Sequence, residues 1–187
     1  MRLIMEQVLF KIAQVFAQEN IQWGIGGSLL LKHYDLVKQA RDIDIIIDKK
    51  DIDKALNLLD MMAERQAIPE KKEYLTEHFY VYAMENISID IMVNFRIRHH
   101  KGNYDFIFDK HSIVKSQEEG QPMLAYTRLE DWLVAYALME GRQAKVEMIR
   151  SYFERQGGAN RLLLNRALEQ ELPEEIQSLI KQVLAYS

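Results

Sequence analysis

The segment Arg41-Asp42-Ile43-Asp44-Ile45-Ile46-Ile47 constrains this chain more than any other. Acid and isoleucine alternate with a period of two, which predicts a strand over 42–48 with its side chains sent to opposite faces. Asp42 and Asp44 then project together, about 6–7 Å apart along the strand, while Ile43, Ile45 and Ile47 line the other face. Two such anions inside a sheet repel, and they are costly unless solvated or neutralised by a cation. A divalent metal is the natural partner, and hard carboxylate oxygens suit Mg²⁺, which completes its shell with water and substrate phosphates. A third carboxylate, Asp90, stands alone in the apolar run Ile87-Ser88-Ile89-Asp90-Ile91-Met92-Val93. Its desolvation demands something opposite. A neighbouring strand carrying Asp42 and Asp44 supplies it through shared metal. Three acids around two Mg²⁺ ions are the equipment of in-line phosphoryl or nucleotidyl transfer. Taken singly, an Asp-x-Asp pair also describes a solvated strand edge and Asp90 a strand end; the combination with the next feature is what points to chemistry.

That feature is Gly24-Ile25-Gly26-Gly27-Ser28, which joins a short apolar stretch (Ile21 to Trp23) to a helical one through Leu29, Leu30, Leu31 and Tyr34. Backbone amides at such a turn, together with a helix N-terminus, can cradle a triphosphate, and Ser28 adds a hydroxyl. A dinucleotide-binding turn is the competing reading, since Gly24-x-Gly26 precedes Asp44 and Asp48 by about 20 residues. Leu29 at the third glycine position and the absence of further strand-helix-strand units disfavour it. A phosphate-binding loop of the Walker type is excluded, because no Gly-Lys-Ser/Thr closes the turn.

Composition bounds the rest. The 187 residues include 48% hydrophobic side chains and only three prolines, enough to bury a core and inconsistent with disorder. Twenty-four basic against 28 acidic residues leave a net charge of −4, which argues against a general grip on DNA or anionic lipid. With no cysteine, disulfides, thiol nucleophiles and cysteine-bound zinc are excluded, and a reducing cytoplasm is the expected location. The longest apolar run, Trp132 to Met139, falls short of the roughly 18 residues of a membrane span. Near the N-terminus, Glu6 and Lys11 interrupt the apolar pattern, which reads as an amphipathic helix, Ile4 to Ala17, and not as a leader. The chain is expected to be soluble.

Further along, helical spacing returns over Ile52 to Met62, where Met61 and Met62 read as packing residues. Phe79 to Met84 and Ile87 to Val93 flank Glu85-Asn86, predicting a tight antiparallel hairpin. From Arg96 to Tyr104 the sequence is polar and reads as a connector, followed by short strand candidates at 106–108, 112–114 and 123–126. Thr127-Arg128-Leu129-Glu130 has the form of a capping box opening a helix to Glu140. Gly141, the Gly157-Gly158 pair and Pro173-Glu174-Glu175 punctuate a tail of three or four helices.

Gly26-Gly27-Ser28, Asp42-Ile43-Asp44 after a 13-residue gap, and Asp90 in an apolar strand resemble the DNA polymerase β-like nucleotidyltransferase superfamily. Ile25 to Leu30, Ala40 to Asp44 and Ile89 to Phe95 look like its bacterial minimal branch, which contains antibiotic nucleotidyltransferases and abortive-infection-type toxins. The likeness covers roughly residues 20–95, with Leu129-Glu130-Asp131 and Gly141-Arg142 resembling the helical region that follows. It implies an α+β fold: a mixed β-sheet flanked by helices (residues 1–126) with a C-terminal helical subdomain (127–187). It also implies transfer of a nucleoside monophosphate from Mg-NTP to an acceptor hydroxyl or phosphate on a small molecule such as an antibiotic, on tRNA or on protein. Asp42, Asp44 and Asp90 would hold two Mg²⁺ ions, Asp90 nearest the acceptor, and Gly26, Gly27 and Ser28 would contact the nucleotide. A homodimer that completes the cleft is compatible with this picture. Where many members carry a Lys/Arg-Asp pair and a further acid, this chain has Gln143-Ala144-Lys145-Val146-Glu147. That departure leaves open a non-catalytic module on the same fold, acting as a toxin–antitoxin or scaffold partner.

Three weaker signals complete the reading. Arg96, Arg98, His99, His100 and Lys101 form a basic cluster, equally a face for a triphosphate or RNA and a solvated loop. Adjacent histidines point apart on a strand, which disfavours a metal at His99-His100. His33 reads as helix surface, and Tyr80, Tyr82, Tyr104 and Tyr126 read as core aromatics with the capacity to stack a ring.

Overall fold

The computed structural model describes residues 2–68 and 78–186. Its centre is a mixed seven-stranded sheet in the order β3-β4-β5-β2-β1-β9-β8. The strands are β1 (Trp23–Ile25), β2 (Ile43–Ile47), β3 (Glu64–Gln66), β4 (His78–Met84), β5 (Ile87–Val93), β8 (Ile113–Ser116) and β9 (Leu124–Thr127). A separate hairpin joins β6 (Arg96–His99) to β7 (Gly102–Asp105). The helices are α1 (Arg2–Gln18), α2 (Gly27–His33), α3 (Ile52–Asp60), α4 (Leu129–Leu138), α5 (Gln143–Gln156), α6 (Arg161–Leu168) and α7 (Glu174–Leu184). None of them is long and apolar enough to cross a membrane.

Strand alternation divides the core in two. Ile43, Ile45 and Ile47 of β2, with Ile89, Ile91 and Val93 of β5, pack against α1 and α3 on one face. Ile46 and Met92 join Leu30 and Leu31 of α2, Leu133 of α4 and the apolar sides of α5, α6 and α7 on the other. The C-terminal helices thus share a core with the sheet. β2 runs antiparallel to β1 but parallel to β5, and the parallel register sets Asp44 directly beside Asp90. The β4–β5 hairpin turns at Glu85-Asn86 with φ of +52° and +64°, the two left-handed residues that a type I′ turn requires.

Several local expectations are corrected. The polar stretch from Arg96 forms the β6–β7 hairpin, whose Ile97 and Tyr104 are buried in the core that α4 shares, so side-chain polarity hides an anchored element. Residues 106–108 are not a strand; Ile113–Ser116 and Leu124–Thr127 pair instead. Met61 is 77% exposed, past the end of α3, while Met62 alone packs against the core. His33, at the end of α2, is exposed as expected, and its ring stacks on Tyr126 at 3.9 Å. The capping box is absent. The Thr127 hydroxyl donates to the Ile25 carbonyl at 2.8 Å and accepts from Trp132 Nε1–H at 2.8 Å, while Glu130 accepts the Asn160 N–H at 2.7 Å. Arg128 is the residue at the N-cap, and no side chain caps the helix.

Candidate active site

The carboxylates of Asp42, Asp44 and Asp90 come together on the floor of a cleft of about 390 Å³. Period two in β2 turns Asp42 and Asp44 to the face opposite the isoleucines, and parallel pairing adds Asp90 from β5 at the level of Asp44. Asp90 is buried, 8% exposed, beside Ser88, whose Oγ lies 3.5 Å from its Oδ1. Among the described residues, no group of three or more His, Asp or Glu side chains is placed to hold a metal ion by itself. The three acids line the floor of this cleft side by side.

One wall is the glycine turn. Gly26 donates its N–H to the Asp44 carbonyl at 2.9 Å, tying the turn to the acidic strand. Gly27 opens α2 with φ of +58°, and a Cβ there would meet Asp44 Oδ2 at 1.8 Å. A Cβ at Gly26 would strike the Trp132 ring at 2.1 Å. Both glycines are therefore required by close approach, Gly27 also by its backbone. Ser28 Oγ donates to Asp42 Oδ1 at 3.3 Å. The six residues singled out in the sequence, Gly26, Gly27, Ser28, Asp42, Asp44 and Asp90, thus meet in one place, with Gly26 set behind the lining between Asp44 and Trp132.

The opposite wall was not legible as such. Trp132 and Tyr136 of α4, with Met139 just past its end, line the cleft with the acids, and Arg41, Arg142 and Lys145 bring three cations to it. Lys145 Nζ lies 4.5 Å from the centre of the Tyr136 ring and donates to its hydroxyl at 3.3 Å. Burial pulls the Lys145 ammonium below its usual pKa, Arg142 adds to that, and Asp44 and Asp42 oppose it. The departure at Gln143-Ala144-Lys145 therefore still delivers a cation to the cleft. Its sequence signal was a lone lysine in the first turn of a helix after Gly141-Arg142.

The Arg96–Lys101 cluster is not brought to the cleft. The β6–β7 hairpin folds back on the helical tail. There Arg96 pairs with Asp105, Lys101 approaches Glu174 at 3.5 Å, and Gln170 bonds both the N–H and C=O of Asp105. Tyr82 is also committed elsewhere, its hydroxyl donating to Asp60 at 2.7 Å and receiving Arg65 at 2.8 Å.

A mixed sheet with Gly-Gly-Ser opening a helix beside an Asp-x-Asp strand, a third Asp on the adjacent parallel strand and a helical tail over the cleft is the nucleotidyltransferase fold. Solved structures bear this out. A crystal structure from Thermotoga maritima described as that of a nucleotidyltransferase matches with a TM-score of 0.60 at 21% identity, over 80% of this chain and 92% of that one. The solution structure of the antibiotic-resistance factor ANT(2'')-Ia matches with a TM-score of 0.60 at 9% identity, over 97% and 92%. The lincomycin-bound lincosamide antibiotic adenylyltransferase LnuA matches with a TM-score of 0.53 at 18% identity, over 78% and 96%. No family model and no curated protein matches the sequence.

Proposed function

We propose that this chain is an Mg²⁺-dependent nucleotidyltransferase that moves a nucleoside monophosphate from an NTP to an acceptor oxygen. The observation that carries the reading is the packing of the Asp44 carboxylate on Gly27, in register with Asp90 and in one cleft with three cations. Only a glycine permits that contact, and it binds the phosphate-type turn and the acidic strand into one unit. The donor set fits Mg²⁺: two or three carboxylates on an open floor match an ion that takes one or two protein oxygens and fills its shell with water and phosphate. Asp42, Asp44 and Asp90 would hold it, and when bound it would offset charge on the triphosphate and on the leaving pyrophosphate.

The chain's own groups do the remainder. Gly27 and Ser28 approach the phosphates, and Lys145 and Arg142 bring donors to triphosphate oxygens from the other wall. The acceptor oxygen attacks the α-phosphorus as the bond to the α–β bridging oxygen breaks, and that electron pair leaves with pyrophosphate. Asp90, on the cleft floor, takes the acceptor's proton on a carboxylate oxygen. Trp132 and Tyr136 provide an apolar wall for the nucleoside.

The acceptor is an oxygen of a small molecule, a tRNA or a protein. LnuA with lincomycin and ANT(2'')-Ia with adenylyl-2''-tobramycin make antibiotic hydroxyls the first to screen. Calorimetric titration of each NTP with Mg²⁺ into wild type and Asp44→Asn, followed by pyrophosphate release across the acceptor panel, tests the proposal. Metal-dependent binding that falls at least tenfold in the variant, with unfolding unchanged, supports it. A variant that binds nucleotide and releases pyrophosphate like wild type overturns it.

A further inference from the structure

The glycine turn of the cleft leaves a strand of only three residues, β1, which pairs in parallel with β9 at Ile25–Tyr126. One side chain of β9 reinforces that short ladder at three successive positions. The Thr127 Cγ2 methyl lies 2.9 Å from where a Gly24 Cβ would stand, and its hydroxyl donates to the Ile25 carbonyl at 2.8 Å. The same hydroxyl accepts the Trp132 Nε1–H at 2.8 Å, and the Nε1–Cε2–Cζ2 edge of that indole lies against Gly26, 2.1 to 2.9 Å from the position of its missing Cβ. A hydroxyl has one proton and two lone pairs, so with its proton committed to Ile25 the oxygen is left to accept from the indole, and both bonds fit together. Thr127 is wholly buried and Trp132 is 3% exposed, which keeps both bonds out of reach of bulk solvent.

We infer that Thr127 is the positioning residue of the glycine turn. It holds the Trp132 indole as a backstop and thereby sets where Gly26 and Gly27 stand relative to Asp44. Gly26 has no side chain to absorb a shift of the ring, and its N–H is tied to the Asp44 carbonyl at 2.9 Å. An indole N–H that loses its acceptor while buried pays the cost of an unmade bond, so the ring turns away from its seat and the turn moves with it. The inference rests on the nucleotidyltransferase reading of the cleft and adds to it a residue that does not line the cleft. Valine at 127 keeps the methyl and loses the hydroxyl, whereas serine keeps the hydroxyl and loses the methyl, so the pair isolates the hydrogen bonds from the packing.

Hydrogen exchange of the Gly26 amide, followed by nuclear magnetic resonance without nucleotide, reads the turn itself. The control is Ile12→Val, which removes a methyl from the core under α1 and lowers stability without touching the turn. Corrected for each variant's urea midpoint, Gly26 exchange should quicken by at least about tenfold in Thr127→Val and stay at the wild-type rate in Thr127→Ser and Ile12→Val. Trp132→Phe, which lacks the N–H, should quicken Gly26 in the same way and serves where Thr127→Val fails to fold. Calorimetry should show Mg-ATP affinity about fivefold weaker in Thr127→Val, the scale of one lost hydrogen bond, and within about twofold of wild type in Thr127→Ser and Ile12→Val. Gly26 exchange that changes no more in Thr127→Val than in Ile12→Val overturns the inference, as does a Thr127→Val variant that binds Mg-ATP like a binding-competent wild type. A wild type that binds no Mg-ATP overturns the nucleotidyltransferase reading alone, and Gly26 exchange still decides the positioning role.

Discussion

Replacing Gly27 by alanine places one methyl group where two independent constraints act. The residue sits at φ +58°, a left-handed conformation that costs an alanine about 1–2 kcal/mol. Its Cβ would also lie 1.8 Å from Asp44 Oδ2 and 2.5 Å from Asp44 Cγ. To regain an ordinary contact of 3.4 Å, the carboxylate must retreat by about 1.6 Å. Misplacing a catalytic group by about 1 Å costs on the order of 10²-fold, so turnover of Gly27→Ala should fall by at least that factor, and Mg-nucleotide affinity by about tenfold. Gly157→Ala isolates the backbone contribution, because Gly157 has φ of +76° with nothing within 4 Å of its Cβ position. Urea unfolding should show Gly157→Ala destabilised by about 1–2 kcal/mol and Gly27→Ala by more, whereas calorimetry should show only Gly27→Ala losing Mg-ATP. Nucleotide binding that is equal in Gly27→Ala and wild type would refute the link between the turn and the acid.

Three further perturbations follow from the same geometry. Lys145→Met keeps the aliphatic stem against Tyr136 and removes the charge; Mg-ATP titration should show about tenfold weaker binding, the scale of one charge-assisted hydrogen bond. Asp131 is pushed up to about 7 by burial, against the pull of Arg166 at 3.1 Å, and its Oδ2 is buried without a donor. A carboxyl raised in the folded state contributes stability that is complete below pH 3.8 and lost as pH rises to about 7, so urea midpoints should fall across that window in wild type and less in Asp131→Asn. Thr127→Val keeps the shape but strips partners from Trp132 Nε1–H and the Ile25 carbonyl, and should cost about 1–3 kcal/mol in unfolding, with an unchanged urea dependence.

What could be read without coordinates was what local periodicity controls. Alternation fixed the faces of Asp42, Asp44 and Ile43–Ile47, and a two-residue link of Glu85-Asn86 between apolar runs fixed the hairpin and, through it, the strand that carries Asp90. The adjacency of Asp44 and Asp90 was inferred from a buried acid's need for a neighbour, and the parallel register supplies it. What escaped depends on contacts between distant segments. β3, with all three residues exposed, shows no alternation to read. Thr127 and Glu130 match a capping pattern, yet Ile25, Trp132 and Asn160 claim those side chains first. Lys145 enters the cleft only because α5 packs back on α4, a geometry that no spacing within Gln143–Glu147 encodes.

The hydrogen bond from Thr127 to the Ile25 carbonyl spans 102 residues of chain, and β1 pairs with β9 through the same neighbourhood. Loops of that length close slowly, because ordering a long segment precedes the contacts that reward it. During synthesis, β2, β4 and β5 can pair as soon as residue 93 is made, but the wall of Trp132 that backs Gly26 arrives some forty residues later. The acidic floor is thus assembled first and stands without its Trp132 wall until β9 pairs with β1 and α4 follows it, which makes the β1–β9 junction the step that completes the cleft.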